Sequence, residues 1–229
     1  MEVRGKRILI FGLARSGVSA ANLLSREGAE VTVTDKKTED ELREYISQLS
    51  PLVKRHIGGH PHTLNGTDLV VVSPGVPVES EPLLRARNEG IKIIGELELA
   101  YQTVKGAFPF LAITGTNGKS TTTTLLDWML RKSGFTTILG GNIGNALCDE
   151  ISQRKKSGHP RPDFAVAEVS SFQLESIDEF RPKGAAILNI TPDHLDRYQS
   201  LDDYIDAKCR IFQNQEKEDF LVLNADDPM

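Results

Sequence analysis

The chain has 229 residues, more than one typical domain, with 39% hydrophobic and 26% charged residues. That composition supplies a packed core and excludes a disordered chain, while no apolar run approaches the roughly 20 residues of a membrane helix. A net charge of -5 argues against nucleic acid as the main partner, because a phosphate backbone selects a basic surface. Along the chain, RILIF at 7–11 predicts a buried strand. Residues 17–27 predict a helix with Val18, Ala21, Leu23 and Leu24 on its apolar side, and EVTVT at 30–34 a second strand. LVVV at 69–72 predicts a strand ending in the turn SPGVP, followed by a helix at 82–90 and a strand at 92–94. Such alternation predicts a parallel sheet with helices on its faces.

A second block begins near Gly106. FPFLAI at 108–113 predicts a strand, and residues 120–133 a helix with Leu125, Leu126, Met129 and Leu130 on one side. Strands are expected at 137–139, 164–169, 185–190 and 220–223, and a helix at 200–213. QRKKSGHPRP at 153–162 is polar and rich in breakers and predicts a surface loop. The fold class expected is α/β throughout. A Rossmann-like domain at 1–105 precedes a P-loop mononucleotide-binding domain at 106–229. NADDPM at 224–229 follows directly on a strand and reads as a chain that continues.

Two cysteines, Cys148 and Cys209, stand far apart in no metal or redox spacing, which fits a reducing compartment. The apolar run from Ile8 to Phe11 is too short for a signal-peptide core. A cytoplasmic protein with no membrane partner is expected.

GTNGKST at 115–121 lies between the strand ending at Thr114 and a helix. The usual phosphate-loop template places four residues between its glycines, and here only Thr116 and Asn117 separate Gly115 from Gly118. The physics is unchanged. Glycines let backbone N–H groups turn toward phosphate oxygens, and the helix start adds its positive dipole end. Lys119 is placed to reach the outer phosphates, and a hydroxyl of Ser120 or Thr121 to reach Mg²⁺. Four consecutive threonines, Thr121–Thr124, open a helix poorly on propensity, a misfit of the kind found at functional sites. ATP is the ligand this loop predicts.

GLARSG at 12–17 follows the first strand and matches a dinucleotide fingerprint with Ala14 in place of the second glycine. Asp35 closes the second strand, where a ribose-binding carboxylate would sit. NAD is one reading. Against it, Ala14 puts a methyl group where a pyrophosphate should approach closely, and no second nucleotide-binding half follows Val72. A plain strand–turn–helix packing signal is another reading, and a different nucleotide held through Arg15, Ser16 and Gly17 is a third.

Glu168 ends the apolar strand AVAEV, a good place for a Mg²⁺ ligand in a sheet that also carries a phosphate loop. NITPDHLDRY at 189–198 follows a strand and is expected to open a helix, with Thr191 or Asp193 as its cap and His194 reaching a ligand. His56, His60, His62 and His159 lie in polar loops and are expected to be solvated, and Lys208 by itself reads as a solvated lysine.

Taken together, GTNGKST, GGNIG at 140–144, EVSSFQLE at 168–175, NITPDHLDRY at 189–198 and YIDAKCRI at 204–211 resemble the Mur ligases of peptidoglycan synthesis. GGNIG and EVSSFQLE favour the member that adds D-glutamate over siblings adding L-alanine or diaminopimelate, and SPGVP at 73–77 and GELELA at 95–100 agree. The resemblance implies a three-domain ATP-dependent ligase: one domain for the UDP-sugar, one for ATP, and a third that completes the ATP and amino-acid sites. Only the first and most of the second fall within 1–229, so these residues alone are expected to lack turnover. The resemblance also implies residue roles. Lys119 binds ATP phosphates, Ser120 and Glu168 hold one Mg²⁺, and His194 holds a second with a carbamylated Lys208. Asn142 and His194 contact the muramoyl substrate. Ala14, Arg15, Ser16, Asp35, Lys36, Lys37 and Gly75 line the UDP pocket. The family often carries threonine where Arg15 or Ser16 stands. The implied partners are UDP-N-acetylmuramoyl-L-alanine and D-glutamate, acted on by a monomer. A folylpolyglutamate-type or another Mur-type ligase, and a module that only binds nucleotide, are the alternatives. A folate enzyme would not need residues 1–105.

Overall fold

The computed structural model describes residues 1–194 and 196–227. The chain divides into two compact units, one spanning Met1–Thr103 and the other beginning at Val104.

The first unit contains β1 (Arg7–Phe11), α1 (Arg15–Arg26), β2 (Glu30–Asp35), α2 (Arg43–Ser47), β3 (Lys54–Ile57), β4 (Leu69–Val72), α3 (Glu81–Asn88), β5 (Ile93–Gly95) and α4 (Glu96–Val104). Its five strands are parallel in the order β3-β2-β1-β4-β5, as expected of an α/β fold. Ile8, Leu9, Ile10 and Phe11 of β1 are all buried, which a central strand covered on both faces requires. Leu9, Phe11, Val70 and Val72 meet Leu64, Leu83 and Ala86 in one apolar cluster. Helix α1 buries Val18, Ala21, Leu23 and Leu24, the predicted face. It starts two residues before the predicted position.

Three elements carry no pattern in the sequence that a periodic reading detects. β3 is an edge strand with Lys54, Arg55 and His56 exposed, and α2 buries none of its five residues. α4 buries Glu96 and Glu98 together with Leu97, Leu99 and Ala100, so its carboxylates mask the apolar spacing.

The second unit contains β6 (Phe110–Thr114), α5 (Lys119–Lys132), β7 (Thr137–Gly141), α6 (Leu147–Ser157), β8 (Phe164–Glu168), α7 (Ser171–Leu174), β9 (Gly184–Ile187), α8 (Leu201–Cys209) and β10 (Phe220–Leu223). A 3₁₀ turn, Arg210–Phe212, extends α8. The sheet is parallel in the order β10-β9-β6-β8-β7. Strand β6, fully buried, is therefore central, with β8 and β9 on either side.

Four expectations need correction here. The surface loop placed at 153–162 begins only after Ser157. Arg154, Lys155 and Lys156 form the last turn of α6, where cations complement the negative helix end, and Gly158 (φ 64°) terminates it. Strand β9 ends at Ile187 rather than 190, because the chain leaves the sheet there to bond the loop after β6: Thr116 N–H donates to the Asn189 carbonyl at 2.9 Å. Among the described residues of 189–198 none is helical. The cap of α8 is Ser200, whose hydroxyl accepts from Asp203 N–H at 3.1 Å, and neither Thr191 nor Asp193 plays that part. On α5, Leu125 and Met129 are exposed. The packed stripe runs one residue over, through buried Thr123 and Asp127 with Leu126 and Leu130 half-buried.

Candidate functional site

In each unit the candidate residues gather at the carboxyl ends of three adjacent strands, where open parallel sheets bind ligands.

In the first unit those strands are β2, β1 and β4. The turn between β1 and α1 holds Ala14, Arg15 and Ser16. Ala14 precedes the helix, and its carbonyl accepts from Val18 N–H at 2.9 Å. Arg15 and Ser16 are the first helical residues. Gly17 is fixed by close approach, since a Cβ there would lie 2.0 Å from the Gly12 carbonyl oxygen. Asp35 ends β2 and stitches the turn together: Oδ2 accepts from Leu13 N–H at 2.7 Å and Oδ1 from Lys37 N–H at 3.0 Å. From the end of β4, the Ser73 hydroxyl donates to the Gly12 carbonyl at 2.9 Å. Lys36, Lys37 and Gly75 are exposed around this turn.

His60 departs from expectation. Its ring is half-buried, 5.0 Å from the Phe11 ring, and Nδ1 lies 3.0 Å from the Thr34 hydroxyl. That hydroxyl donates to the Gly59 carbonyl at 2.8 Å, so Nδ1 carries the proton and donates to Thr34. Burial, then the charge of Lys36, holds the imidazole pKa below its usual value.

In the second unit the strands are β8, β6 and β9. Gly115, Thr116, Asn117 and Gly118 connect β6 to α5, and Gly118 adopts φ 81°, a left-handed conformation that favours glycine. The loop is locked to the segment after β9. Asn117 N–H donates to Asn189 Oδ1 at 2.8 Å, Asn189 Nδ2 donates to the Asn117 carbonyl at 3.0 Å, and Thr191 N–H donates to the Thr116 hydroxyl at 3.0 Å. Within the threonine run, buried Thr123 satisfies its hydroxyl by donating back to the Lys119 carbonyl at 2.7 Å. Ser120 and Thr121 are exposed and border an open groove of about 660 Å³ with Thr124, Leu125 and Trp128.

Two ammonium groups converge on this loop. Lys119 Nζ donates to the carbonyls of Gly115 and Thr116 at 2.9 and 2.8 Å, and Lys208 Nζ donates to the same Gly115 carbonyl at 2.9 Å. Lys208 is only 1% exposed, against the expectation of a solvated side chain. Burial, reinforced by the positive charge of Lys119 and opposed by Asp193, lowers its pKa to about 8. Two lysines sharing one carbonyl form a cradle with surplus positive charge, suited to phosphate oxygens.

Glu168 ends β8 in register with Ile113 and is 2% exposed. Its Oε1 accepts from Asn142 Nδ2 at 2.6 Å, while Oε2 is buried with no hydrogen-bond partner. A buried carboxylate oxygen left without a donor fits a cation ligand. Among the described residues no three His, Cys, Asp or Glu side chains cluster as a metal cage. Mg²⁺ is compatible with that, because it is held by one or two carboxylates completed by phosphate and water rather than by a protein cage.

His194 sits at φ 55°, a left-handed conformation rare outside glycine, with its ring 4.8 Å from Phe172 and 6.1 Å from Tyr204. Asp193 Oδ1 accepts from His194 N–H at 2.9 Å. Two contributors went unread in the sequence. Tyr204, 1% exposed, puts its hydroxyl 3.2 Å from the Thr116 hydroxyl, and its ring lies 4.5 Å from Lys208 Nζ. Asn189 acts through its side-chain amide as a surrogate backbone. Neither carries a spacing signal of its own: Tyr204 acts through the docking of α8, and Asn189 through a partner 72 positions away.

Comparison with known proteins adds independent findings. Residues 113–229 match the Mur ligase middle domain, and residues 6–95 match the N-terminal domain of MurD-like Mur ligases. The UDP-N-acetylmuramoylalanine–D-glutamate ligase of Geotalea daltonii is 52% identical over 231 residues, covering 100% of this chain and 49% of its own length. The ligase of the same name from Clostridioides difficile is 45% identical over 229 residues, covering 99% and 49%. The chain thus spans about half the length of the curated relatives it matches. Among solved structures, UDP-N-acetylmuramate:L-alanyl-gamma-D-glutamyl-meso-diaminopimelate ligase from Neisseria meningitides shares the fold at TM-score 0.63 and 19% identity, over 98% of this chain and 72% of that one. UDP-N-acetylmuramate-alanine ligase from Thermotoga maritima shares it at TM-score 0.53 and 23% identity, over 97% and 49%.

Proposed function

The chain belongs to the Mur ligase family, and from that premise we propose that it acts as an ATP-dependent amide ligase adding D-glutamate to UDP-N-acetylmuramoyl-L-alanine. The observation that carries the proposal is the convergence of Lys119, Lys208 and Glu168 around the loop at the end of β6. The identities of 45–52% to ligases of that name support the choice of amino acid and sugar nucleotide.

In this reading Lys119 leaves the Gly115 and Thr116 carbonyls for the β- and γ-phosphates, and the N–H groups of residues 115–121 cradle the rest. A carboxylate oxygen of the substrate's alanine attacks the γ-phosphorus, the bond from phosphorus to the ADP oxygen breaks, and an acyl phosphate results. The amine of D-glutamate then displaces phosphate at the carbonyl carbon. The protein's share is positioning and charge neutralisation, with no nucleophilic side chain.

Ser120 and Glu168 would hold one Mg²⁺, and His194 with a carbamylated Lys208 a second. Bound magnesium supplies positive charge to the transferring phosphoryl group. The lowered pKa of Lys208 supports carbamylation, since a neutral amine is the form that reacts with carbon dioxide. Asn142, bonded to Glu168, would contact the muramoyl substrate with His194. Ala14, Arg15, Ser16, Asp35, Lys36, Lys37 and Gly75 would line the UDP pocket of the first unit. We infer a monomer working in the cytoplasm. Two free cysteines, one of them buried, suit a reducing compartment, and no helix among the described residues is long and apolar enough to cross a membrane.

Calorimetric titration of the chain with magnesium ATP, UDP-N-acetylmuramoyl-L-alanine, UDP and NAD tests this directly. Heat is expected with the first three and none with NAD. Binding of NAD without UDP overturns the reading of the first unit. Absence of ATP binding overturns that of the second.

A further inference from the structure

Beyond the groups that would touch ATP or metal, the second unit contains a half-buried ionic and aromatic assembly that those roles do not explain. Glu175 follows α7, a short helix pinned by a reciprocal capping box between Ser170 and Gln173. Its carboxylate accepts from Arg197 Nε at 3.2 Å on one oxygen and from Arg197 Nη2 at 2.5 Å on the other. The Tyr198 hydroxyl donates to Oε1 at 2.6 Å. The side chains of Glu175 and Arg197 are only 12% and 19% exposed. Burial and this hydrogen bond raise the Tyr198 pKa, so the phenol stays a donor.

From this clamp one chain of contact leads to His194 and another to the loop at the end of β6. In one, the Arg197 guanidinium lies 4.2 Å over the Phe172 ring, and Phe172 lies against His194. In the other, the Tyr198 ring packs 5.3 Å from Tyr204, whose hydroxyl reaches Thr116. The backbone closes the same unit, because the N–H groups of Arg197 and Tyr198 both donate to the His194 carbonyl, at 2.9 and 3.1 Å. His194 is the one described non-glycine residue at positive φ, a conformation that persists only where its surroundings over-determine it.

We propose that Glu175 is a positioning residue of the phosphate site. By holding Arg197 and Tyr198 together, its carboxylate sets the backbone and ring of His194 and the place of Tyr204 against Thr116. A lone ion pair would stabilise the fold at this spot without requiring aromatic contacts that reach both His194 and the loop. The inference rests on the ATP reading only for the identity of the ligand. The clamp itself is a matter of internal geometry.

The test uses Glu175→Gln, Glu175→Ala and Tyr198→Phe, each checked for fold by circular dichroism at low temperature. Histidine ¹³C–¹H spectra report the ring current of Phe172 on His194, and calorimetry reports the Mg²⁺ concentration that half-saturates ATP binding. Glu175→Gln keeps an acceptor for Tyr198 but loses the charged fork for Arg197. The expected results are a His194 resonance moved toward that of a free ring and a Mg²⁺ requirement raised about tenfold, the scale on which outer partners of metal ligands act. Tyr198→Phe should do the same more weakly, and it carries the test if Glu175→Ala does not fold. A lowered melting temperature with an unmoved His194 resonance makes Glu175 merely structural and overturns the proposal. So does a moved resonance with an unchanged Mg²⁺ requirement. A wild-type chain that binds no magnesium nucleotide breaks the proposed function instead, and the His194 resonance then decides the clamp alone.

Discussion

The two units solve the same local problem in opposite ways. Each has a glycine-containing turn after a central, fully covered strand and before a helix, β1–α1 in one and β6–α5 in the other. The first turn is closed by neutral and anionic partners: Asp35 takes the Leu13 N–H, and Ser73 caps the Gly12 carbonyl. The second is lined by cations, with Lys119 and Lys208 resting on the Gly115 carbonyl. Helix α1 buries seven of its residues, whereas α5 buries only Thr123 and Asp127. One turn is part of a core, and the other is a charged surface held in shape by Asn189. A phosphate tail with several negative charges suits the second. The first suits a ligand recognised more by shape and hydrogen bonds.

The sharpest way to break this contrast is Lys119→Ala. It removes a positive charge from one turn and leaves the residues of the other unchanged. ATP affinity is expected to fall about 100-fold or more, in keeping with loss of a charge-assisted contact to phosphate, while UDP affinity stays the same. Titration calorimetry with both ligands reads the two effects in one protein. Equal loss for both ligands would mean the turns do not act separately.

The last glycine of each turn gives the next largest effect and separates sterics from conformation. Gly17→Ala places a Cβ 2.0 Å from the Gly12 carbonyl oxygen, which must move. Destabilisation of about 3 kcal/mol in urea unfolding is expected, the upper range for overpacking. Gly118→Ala meets only Leu188 Cδ1 at 3.6 Å, so its cost is that of φ 81° alone, about 1 kcal/mol. Comparable losses in the two variants would erase the distinction between a packed turn and an open one.

How much of this was legible beforehand follows the same division. β1 and β4 stand where the apolar runs put them, because a strand covered on both faces leaves a continuous hydrophobic signature. β10 also stands at its apolar run, although it is an edge strand with Phe220, Val222 and Leu223 exposed. The β6–α5 loop stands where it was expected because its glycines and lysine follow directly on a continuous apolar run. β3, α2 and α4 were not, since an exposed edge strand, a helix without a buried face and a helix with buried glutamates carry no periodic signal. The place of Glu168 at the end of β8 could be read from the apolar run before it. The burial of Lys208 and the reach of Tyr204 could not, because both depend on how α8 docks, which its expected position at 200–213 does not reveal. His60 was misread as solvated for a related reason: the Thr34 hydroxyl that holds it lies 26 positions away.

Lys208 allows the cationic turn to be tested by pH. Its folded pKa of about 8 lies below the ordinary lysine value of 10.5, so between those values the unfolded chain holds a proton that the folded chain lacks. The unfavourable burial of charge is fully present below pH 8 and is relieved as pH rises toward 10.5. Its contribution to stability therefore increases across that window, by at most about 3 kcal/mol. Tyr204 and Cys209 have raised pKa values and act in the opposite sense at the alkaline end, so the informative quantity is the difference between wild type and Lys208→Met. That difference is expected to shrink steadily from pH 7.5 to 10 in urea unfolding. A difference independent of pH would mean that Lys208 carries no buried charge, and the surplus positive charge of the second turn would reduce to Lys119 alone.

The smallest expected effect belongs to the closed turn. Asp35→Asn keeps the size of the side chain and one carbonyl acceptor, but replaces the other oxygen by an amide that cannot accept from a backbone N–H. Asp35 Oδ2 bonds Leu13 N–H, which is buried, and Oδ1 bonds the exposed Lys37 N–H. The variant is expected to keep the inner bond and turn its NH₂ toward Lys37, losing charge assistance on one bond and the whole of the other. Hydrogen bonds of this kind contribute on the order of 1 kcal/mol each, and the outer one is solvated, so a total loss of about 1 kcal/mol is expected. UDP affinity should fall with it if Asp35 also faces the ligand, while ATP affinity should not change. A stability loss without any change in UDP affinity would assign Asp35 wholly to closing the turn. The ligand contacts of the first unit would then rest on Lys36, Lys37 and the β1–α1 turn.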